Sequence, residues 1–118
     1  MELKSLFTVE AHEKGNEIRI KSPVDGKPTH FYITVAGPDS KTYRAAVRDY
    51  HREIMKDNAE VGAIEMLVSV TKDWRGLKDG KNNVAFSVDE ARNIYTGSPF
   101  VANQVDGFIA DRANFTPG

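Results

Sequence analysis

The sequence predicts an α+β fold in which helix dominates: an N-terminal β-hairpin followed by about four helices. Three observations lead there. Residues 17–21 and 29–35 alternate polar with apolar side chains, the two-residue period of a half-buried strand, around the turn-rich Ser22-Pro23-Val24-Asp25-Gly26-Lys27-Pro28. From residue 43 onward apolar residues recur at helical spacing. Strands and helices are therefore segregated along the chain, the pattern of α+β rather than α/β folds. A length of 118 residues fits one domain, divided into a hairpin region (1–36), a helical region (37–113) and a tail (114–118).

The first 13 residues read as a short extended or helical lead-in, with a polar segment ending in the turn signal Gly15-Asn16. In the first strand Ile18 and Ile20 are expected to face inward, and in the second Phe31, Ile33 and Val35 share one face. Two such strands around a turn form a hairpin, which is marginal in water unless its apolar face is covered. Asp39 or Ser40 is positioned to cap the first helix, whose stripe Tyr43, Val47, Tyr50 and Ile54 recurs at intervals of four, three and four. Arg44, Arg48 and Arg52 repeat on its other side with Asp49 and Glu53, a solvated mixed-charge face or an ion-pairing contact with a partner. Asp57-Asn58 ends this helix or bends it. Residues 59–72 are the most apolar segment and predict a central helix, with a strand over Met66–Val70 as the competing reading. Gly62 is costly inside a helix, which points to close packing or a later helix start.

The chain is organised around the stretch Trp74-Arg75-Gly76-Leu77-Lys78-Asp79-Gly80-Lys81-Asn82-Asn83-Val84-Ala85-Phe86-Ser87. An apolar helix is expected to end near Trp74, the hydrophobic anchor of a packing corner. Asp79-Gly80 is a turn dipeptide, Asn82-Asn83 extends the polar turn, and Val84 to Phe86 return to the core. Ser87-Val88-Asp89-Glu90 matches a capping box that starts a helix over residues 88–95. Gly97 stands at the position of a left-handed C-cap. Ser98 then caps the last helix, with Pro99 at its first position, and Val101, Val105, Phe108 and Arg112 follow at helical spacing. The tail from Asn114 is expected to be non-helical.

Composition narrows function. There is no cysteine, so disulfides, thiol catalysis and cysteine-based metal sites are excluded. Sixteen basic and 17 acidic residues are interspersed with a net charge of −1, unlike a chain that grips phosphates, so no nucleic-acid partner is expected. No apolar run approaches a membrane span, and Met1-Glu2-Leu3-Lys4 has neither region of a signal peptide. A cytoplasmic location is expected. His12, His30 and His51 show no zinc spacing and read as surface or half-buried structural histidines. Asp79-Gly80-Lys81-Asn82-Asn83 lacks the ligand positions of a calcium loop. Nucleotide-binding glycine motifs and a nucleophile elbow are absent, and no carboxylate pair is marked out for acid–base work. No cofactor, metal or catalytic residue is assigned, and the chain is read as a protein-binding domain rather than an enzyme.

Met66-Leu67-Val68 leading to Trp74, Gly76, Asp79-Gly80, Ala85-Phe86-Ser87, Glu90 and Ser98-Pro99-Phe100 occur in an order that resembles the tail assembly chaperones of long-tailed bacteriophages of the siphophage type. The resemblance covers roughly residues 60–115. The first 58 residues carry no matching motif. It implies a structural corner made of Trp74, Gly76, Asp79, Gly80, Phe86, Ser87 and Pro99. It further implies a protein that coats the helical tape measure protein in the host cytoplasm, helps recruit tail tube subunits through a longer frameshift product, and leaves before the tail is complete. A homo-oligomer is compatible with that role. Grooves between helices would take an amphipathic client helix, with Tyr95, Phe100, Phe108 and Phe115 as contact candidates or, alternatively, as core residues. The competing readings are a structural head–tail connector or tail terminator of a phage particle, and a small host adaptor domain.

Overall fold

In a computed structural model, which describes residues 1–56 and 59–116, the predicted hairpin gains a third strand. β1 (Asn16–Lys21) pairs antiparallel with β2 (Pro28–Val35), and β2 pairs on its other side with β3 (Thr71–Arg75). β2 is thus the central strand of an antiparallel sheet in the order β1-β2-β3. The fold is α+β with helix predominating, but the sheet is not confined to the N-terminal region.

The register explains the two faces. Ile18, Ile33 and Trp74 stand opposite one another across the three strands, and Arg19, Tyr32 and Arg75 form the adjacent row. Because strand side chains alternate between faces, the first row points into the core and the second away from it. Ile20, Phe31, Ile33, Val35 and Trp74 are buried and Ile18 is half-buried, as the alternation predicted. On the outer face the Tyr32 ring lies between two guanidinium groups, with Arg75 4.0 Å and Arg19 5.6 Å from its centroid.

The apolar segment is a helix, α3 (Ala59–Val70), but it stops at Val70 rather than near Trp74. Trp74 lies on β3, whose residues answer the unpaired edge of β2. The strand was hidden because its period is broken. Thr34 faces Asp73 while Val35 faces Thr71, so Lys72 is skipped at a bulge, and the two exposed residues Lys72 and Asp73 stand side by side.

The other helices are α1 (Val9–Lys14), α2 (Lys41–Met55), α4 (Val88–Gly97) and α5 (Pro99–Ala110), with 3-10 turns over Leu3–Leu6 and Arg112–Asn114. Of the two readings of the lead-in, extended or helical, the structure takes the helical one. Ser40 caps α2, accepting from the Tyr43 amide at 2.9 Å. Tyr43, Val47 and Tyr50 are half-buried along α2, whereas Ile54 is 41% exposed and leaves the stripe. The expected break at Asp57-Asn58 lies outside the described residues. Gly62 belongs to α3, where a Cβ would come within 2.9 Å of the Glu53 Cβ and 3.1 Å of the Tyr50 ring. Its role is the close approach of α3 to α2.

Ser87 caps α4 by accepting from the Glu90 amide at 3.1 Å. The reciprocal bond of a capping box, from the Ser87 amide to the Glu90 carboxylate, is not made among the described residues. Gly97 remains within α4 and does not adopt a positive φ. The helix ends because Ser98 turns outward (φ −135°) and caps α5 through the Val101 amide, with Pro99 in the first turn. Arg112 falls beyond α5, in the 3-10 turn that folds the tail back and buries Phe115. Pro117 and Gly118 lie outside the described residues.

One core unites these elements. Inner-face sheet residues meet Ala46 of α2, Val68 and Val70 of α3, Ala91 and Tyr95 of α4, and Val101, Val105 and Ile109 of α5. Trp74 is 7% exposed, edge-on to Phe31 and Phe86 with centroids 5.7 and 5.1 Å away, and its indole nitrogen donates to the Val84 carbonyl at 2.9 Å. Replacing Trp74 with Ala removes a large aromatic and leaves that carbonyl without its donor, so urea denaturation should show a loss of about 3–5 kcal/mol. An unchanged midpoint would show that Trp74 does not anchor the core.

Candidate functional site

The corner after β3 is built by a backbone constraint. Gly76 has a φ of +84°, and a Cβ there would sit 1.8 Å from the His30 carbonyl oxygen. Only glycine lets the chain leave β3 this close to β2. Beyond it, β4 (Lys78–Asp79) and β5 (Asn82–Asn83) pair around Gly80-Lys81, with Gly80 at a φ of +64°. The predicted polar turn is therefore a two-residue hairpin loop, and Asn82 and Asn83 belong to its return strand. The Val84 amide then bonds to the Leu77 carbonyl at 2.9 Å, and Phe86 is delivered against Trp74.

Above this corner lies an open apolar cleft of about 330 Å³. Its walls are Ile20 and Pro23 from the hairpin, Phe31 from β2, Leu77 from the corner, Ile94 from α4 and Val101 from α5. Lys21 and His30 also line it, and among the described residues no carboxylate does. Trp74 packs behind Phe31. The motif residues thus shape the cleft in sequence: Gly76 sets the corner, Ser87 starts the helix carrying Ile94, and Pro99 starts the helix carrying Val101. A second cleft of about 350 Å³ lies between α2, α3 and α5, lined by Tyr50, Ile64, Leu67, Ala102 and Asp106 among others.

The four aromatic contact candidates separate. Tyr95 and Phe115 are 2% and 5% exposed and belong to the core, and Phe108 is half-buried against Phe115 at a centroid distance of 5.4 Å. Phe100, next to Val101, is 43% exposed and is the one open to a partner. Tyr95 is held by a chain of hydroxyls. Thr71 Oγ1 donates to the Leu67 carbonyl at 2.7 Å, so the Tyr95 hydroxyl donates to Thr71 at 2.7 Å, and burial pushes the phenol up to about 12.

A polar cluster that the sequence did not reveal joins both ends of the chain. His12 is fully buried. Its Nδ1 accepts from the Asp39 amide at 2.9 Å, so in the neutral ring Nε2 carries the proton and donates to Thr116 Oγ1 at 3.1 Å. Asp39 accepts from Thr8 Oγ1 at 2.6 Å and from Arg112 Nε at 3.1 Å. The Thr8 bond, assisted by Arg112, holds its carboxyl below the usual range. Threonine, histidine and aspartate together suggest a catalytic set, but the geometry opposes it. With Nδ1 occupied by a backbone donor and Nε2 protonated, His12 has no lone pair for the Thr116 proton. The cluster is a clamp. Its directly bonded members are up to 104 residues apart, and no local spacing could have exposed it. Among the described residues, no group of three or more acidic or histidine side chains is placed to hold a metal ion, and no helix is long and apolar enough to cross a membrane.

Glu13 forms the other half of the clamp. Its carboxylate accepts from Thr42 Oγ1 at 2.5 Å and the Thr42 amide at 3.1 Å in the first turn of α2, and pairs with Lys72 of β3 at 3.1 Å. The Thr42 hydroxyl bond is the largest cause that pulls this carboxyl down to about 2 from the ordinary 4.5. A depressed folded-state value stabilises the fold fully above the ordinary value and is lost as pH falls through the folded one. Glu13→Gln should therefore lower the melting temperature at neutral pH, and its gap from wild type should close between pH 4.5 and about 2. A gap that is constant with pH would assign the effect to packing.

Comparison with protein-family models, with curated proteins and with solved structures finds no match.

Proposed function

We propose that this chain is a tail assembly chaperone of a long-tailed bacteriophage or prophage. It binds the tape measure protein in the host cytoplasm, helps bring tail tube subunits to it through a longer frameshift product, and is released before the virion is complete. The observation that supports this reading most directly is the apolar cleft. Gly76 of the resembling stretch lines it, and the helices begun at Ser87 and Pro99 bring Ile94 and Val101 to its walls, while the hairpin supplies Ile20, Pro23 and Phe31. A cleft open to solvent, with the exposed Phe100 one residue before its wall residue Val101, suits transient capture of apolar side chains along an amphipathic client helix. A chaperone that must let go needs such limited, accessible contacts rather than one extensive apolar interface.

The test is co-expression with the very long protein encoded beside it, followed by solubility measurement and pull-down. The long protein should stay soluble and co-purify with many copies of this chain. Phe100→Glu should cut recovery of the complex several-fold while leaving the melting curve nearly unchanged, since the side chain is exposed. Retention of the chain in finished particles, or a closed ring formed without the long protein, would replace this reading with that of a head–tail connector or tail terminator.

A further inference from the structure

We propose that the corner cleft selects apolar side chains that have a carboxylate about one helical turn away, so that its client sites are apolar–acidic rather than merely apolar. This rests on the chaperone reading only for the identity of the client. The argument is one of charge complementarity. Among the described residues the lining includes Lys21 and His30 but no Asp or Glu. Lys21 is held at the cleft edge by its backbone: its amide donates to Gln104 Oε1 at 2.7 Å, and its carbonyl accepts from Gln104 Nε2 at 3.0 Å. Its ammonium group has no ion-pair partner among the described residues. An unpaired cation at the edge of a low-polarity cleft attracts an anionic neighbour of the inserted side chain and repels a cationic one.

The second cleft has the opposite character. Among the described residues Asp106 is its one charged lining residue, and it too has no ion-pair partner there. The two clefts therefore cannot favour the same flanking charge, which provides an internal control. At about 330 Å³ the corner cleft is sized for side chains rather than for a whole helix. Its occupant is an anchor residue such as Leu, Ile or Phe presented from a helix that lies across the opening, with Phe100 as a neighbouring contact.

The experiment uses the full chain and short labelled amphipathic helical peptides with a leucine stripe, flanked one turn away by Glu, Gln or Lys. Anisotropy reports affinity, and emission of Trp74, which touches the cleft through Phe31, reports where the peptide sits. The Glu peptide should bind about threefold more tightly than the Gln peptide, and the Lys peptide about threefold more weakly, as expected of a solvent-accessible charge pair. Lys21→Glu should invert the order, Asp106→Asn should preserve it, and roughly 1 M salt should collapse the spread. Circular dichroism checks that both variants are folded. Equal binding of the three peptides, or an order that Lys21→Glu leaves unchanged, overturns the inference. If no peptide binds while co-expression still recovers the complex, the cleft proposal falls and the chaperone reading stands. If the peptides sort by charge but no complex forms with the long protein, the selectivity stands and the chaperone reading falls.

Discussion

The pairing of β3 with β2 is the constraint on which the rest of the molecule depends. A two-stranded hairpin would leave one edge of β2 without backbone partners and its inner face only partly covered. Placing Thr71–Arg75 along that edge satisfies the backbone. It also sets Trp74 opposite Ile33, with its ring against Phe31 and Phe86. The same pairing requires Gly76, because the chain must turn off β3 where the His30 carbonyl leaves no room for a Cβ. The corner hairpin, the start of α4 and the wall formed by Leu77 all follow from that exit.

From this geometry comes the division between what is sealed and what is open. The Trp74 edge contacts, the indole bond to Val84 and the Tyr95–Thr71–Leu67 hydroxyl chain close the interior beneath the corner. Among the described residues, no buried side-chain polar atom lacks a partner, so the core beneath the cleft has little reason to rearrange. Above it the cleft stays apolar yet accessible. Its lining carries Lys21 and His30 while the cleft beside α5 and α2 carries Asp106. Under the proposed chaperone role, a surface with this rigid base and solvated opening suits side-chain capture better than engulfment of a client.

The N-terminal end of the chain is held by polar contacts rather than by burial of apolar surface, and the tail by polar contacts together with the buried Phe115. Leu3, Leu6 and Phe7 are exposed, so the lead-in gains little from the hydrophobic effect. What ties α1 down is His12 beneath the Asp39 amide, Thr8 on the Asp39 carboxylate, and Glu13 at the start of α2. The tail is fixed to the same place by Arg112, Thr116 and the Asn16–Asn114 bond, and Phe115 packs against His12. Acid therefore weakens this region as pH falls below the ordinary carboxyl range, because the Glu13 and Asp39 carboxyls are both lowered by their contacts in the fold.

The sequence by itself determined the features written in local chemistry. Alternation marked β1 and β2, because side chains of neighbouring residues face opposite sides of a sheet. Ser40, Ser87 and Ser98 marked helix starts, because a hydroxyl can satisfy an orphan amide within its own turn. Gly76 and Gly80 marked the corner. Tertiary structure alone decided the rest. β3 lost its period to a bulge that exists only because β2 lies beside it. Gly97 is the last residue of α4, as expected of a helix stop, yet it is not left-handed, and Ser98 is the residue that caps the end. Phe115 and Tyr95 were open to a contact or a core role in the sequence and are buried because distant elements close over them. His12, Asp39, Arg112 and Thr116 carry no shared spacing, and Tyr32 meets Arg19 and Arg75 only through strand register. The cleft belongs to this second class. Its six apolar walls come from five separate segments, and side chains that distant in sequence share a surface only after folding has spent the chain entropy needed to bring them together.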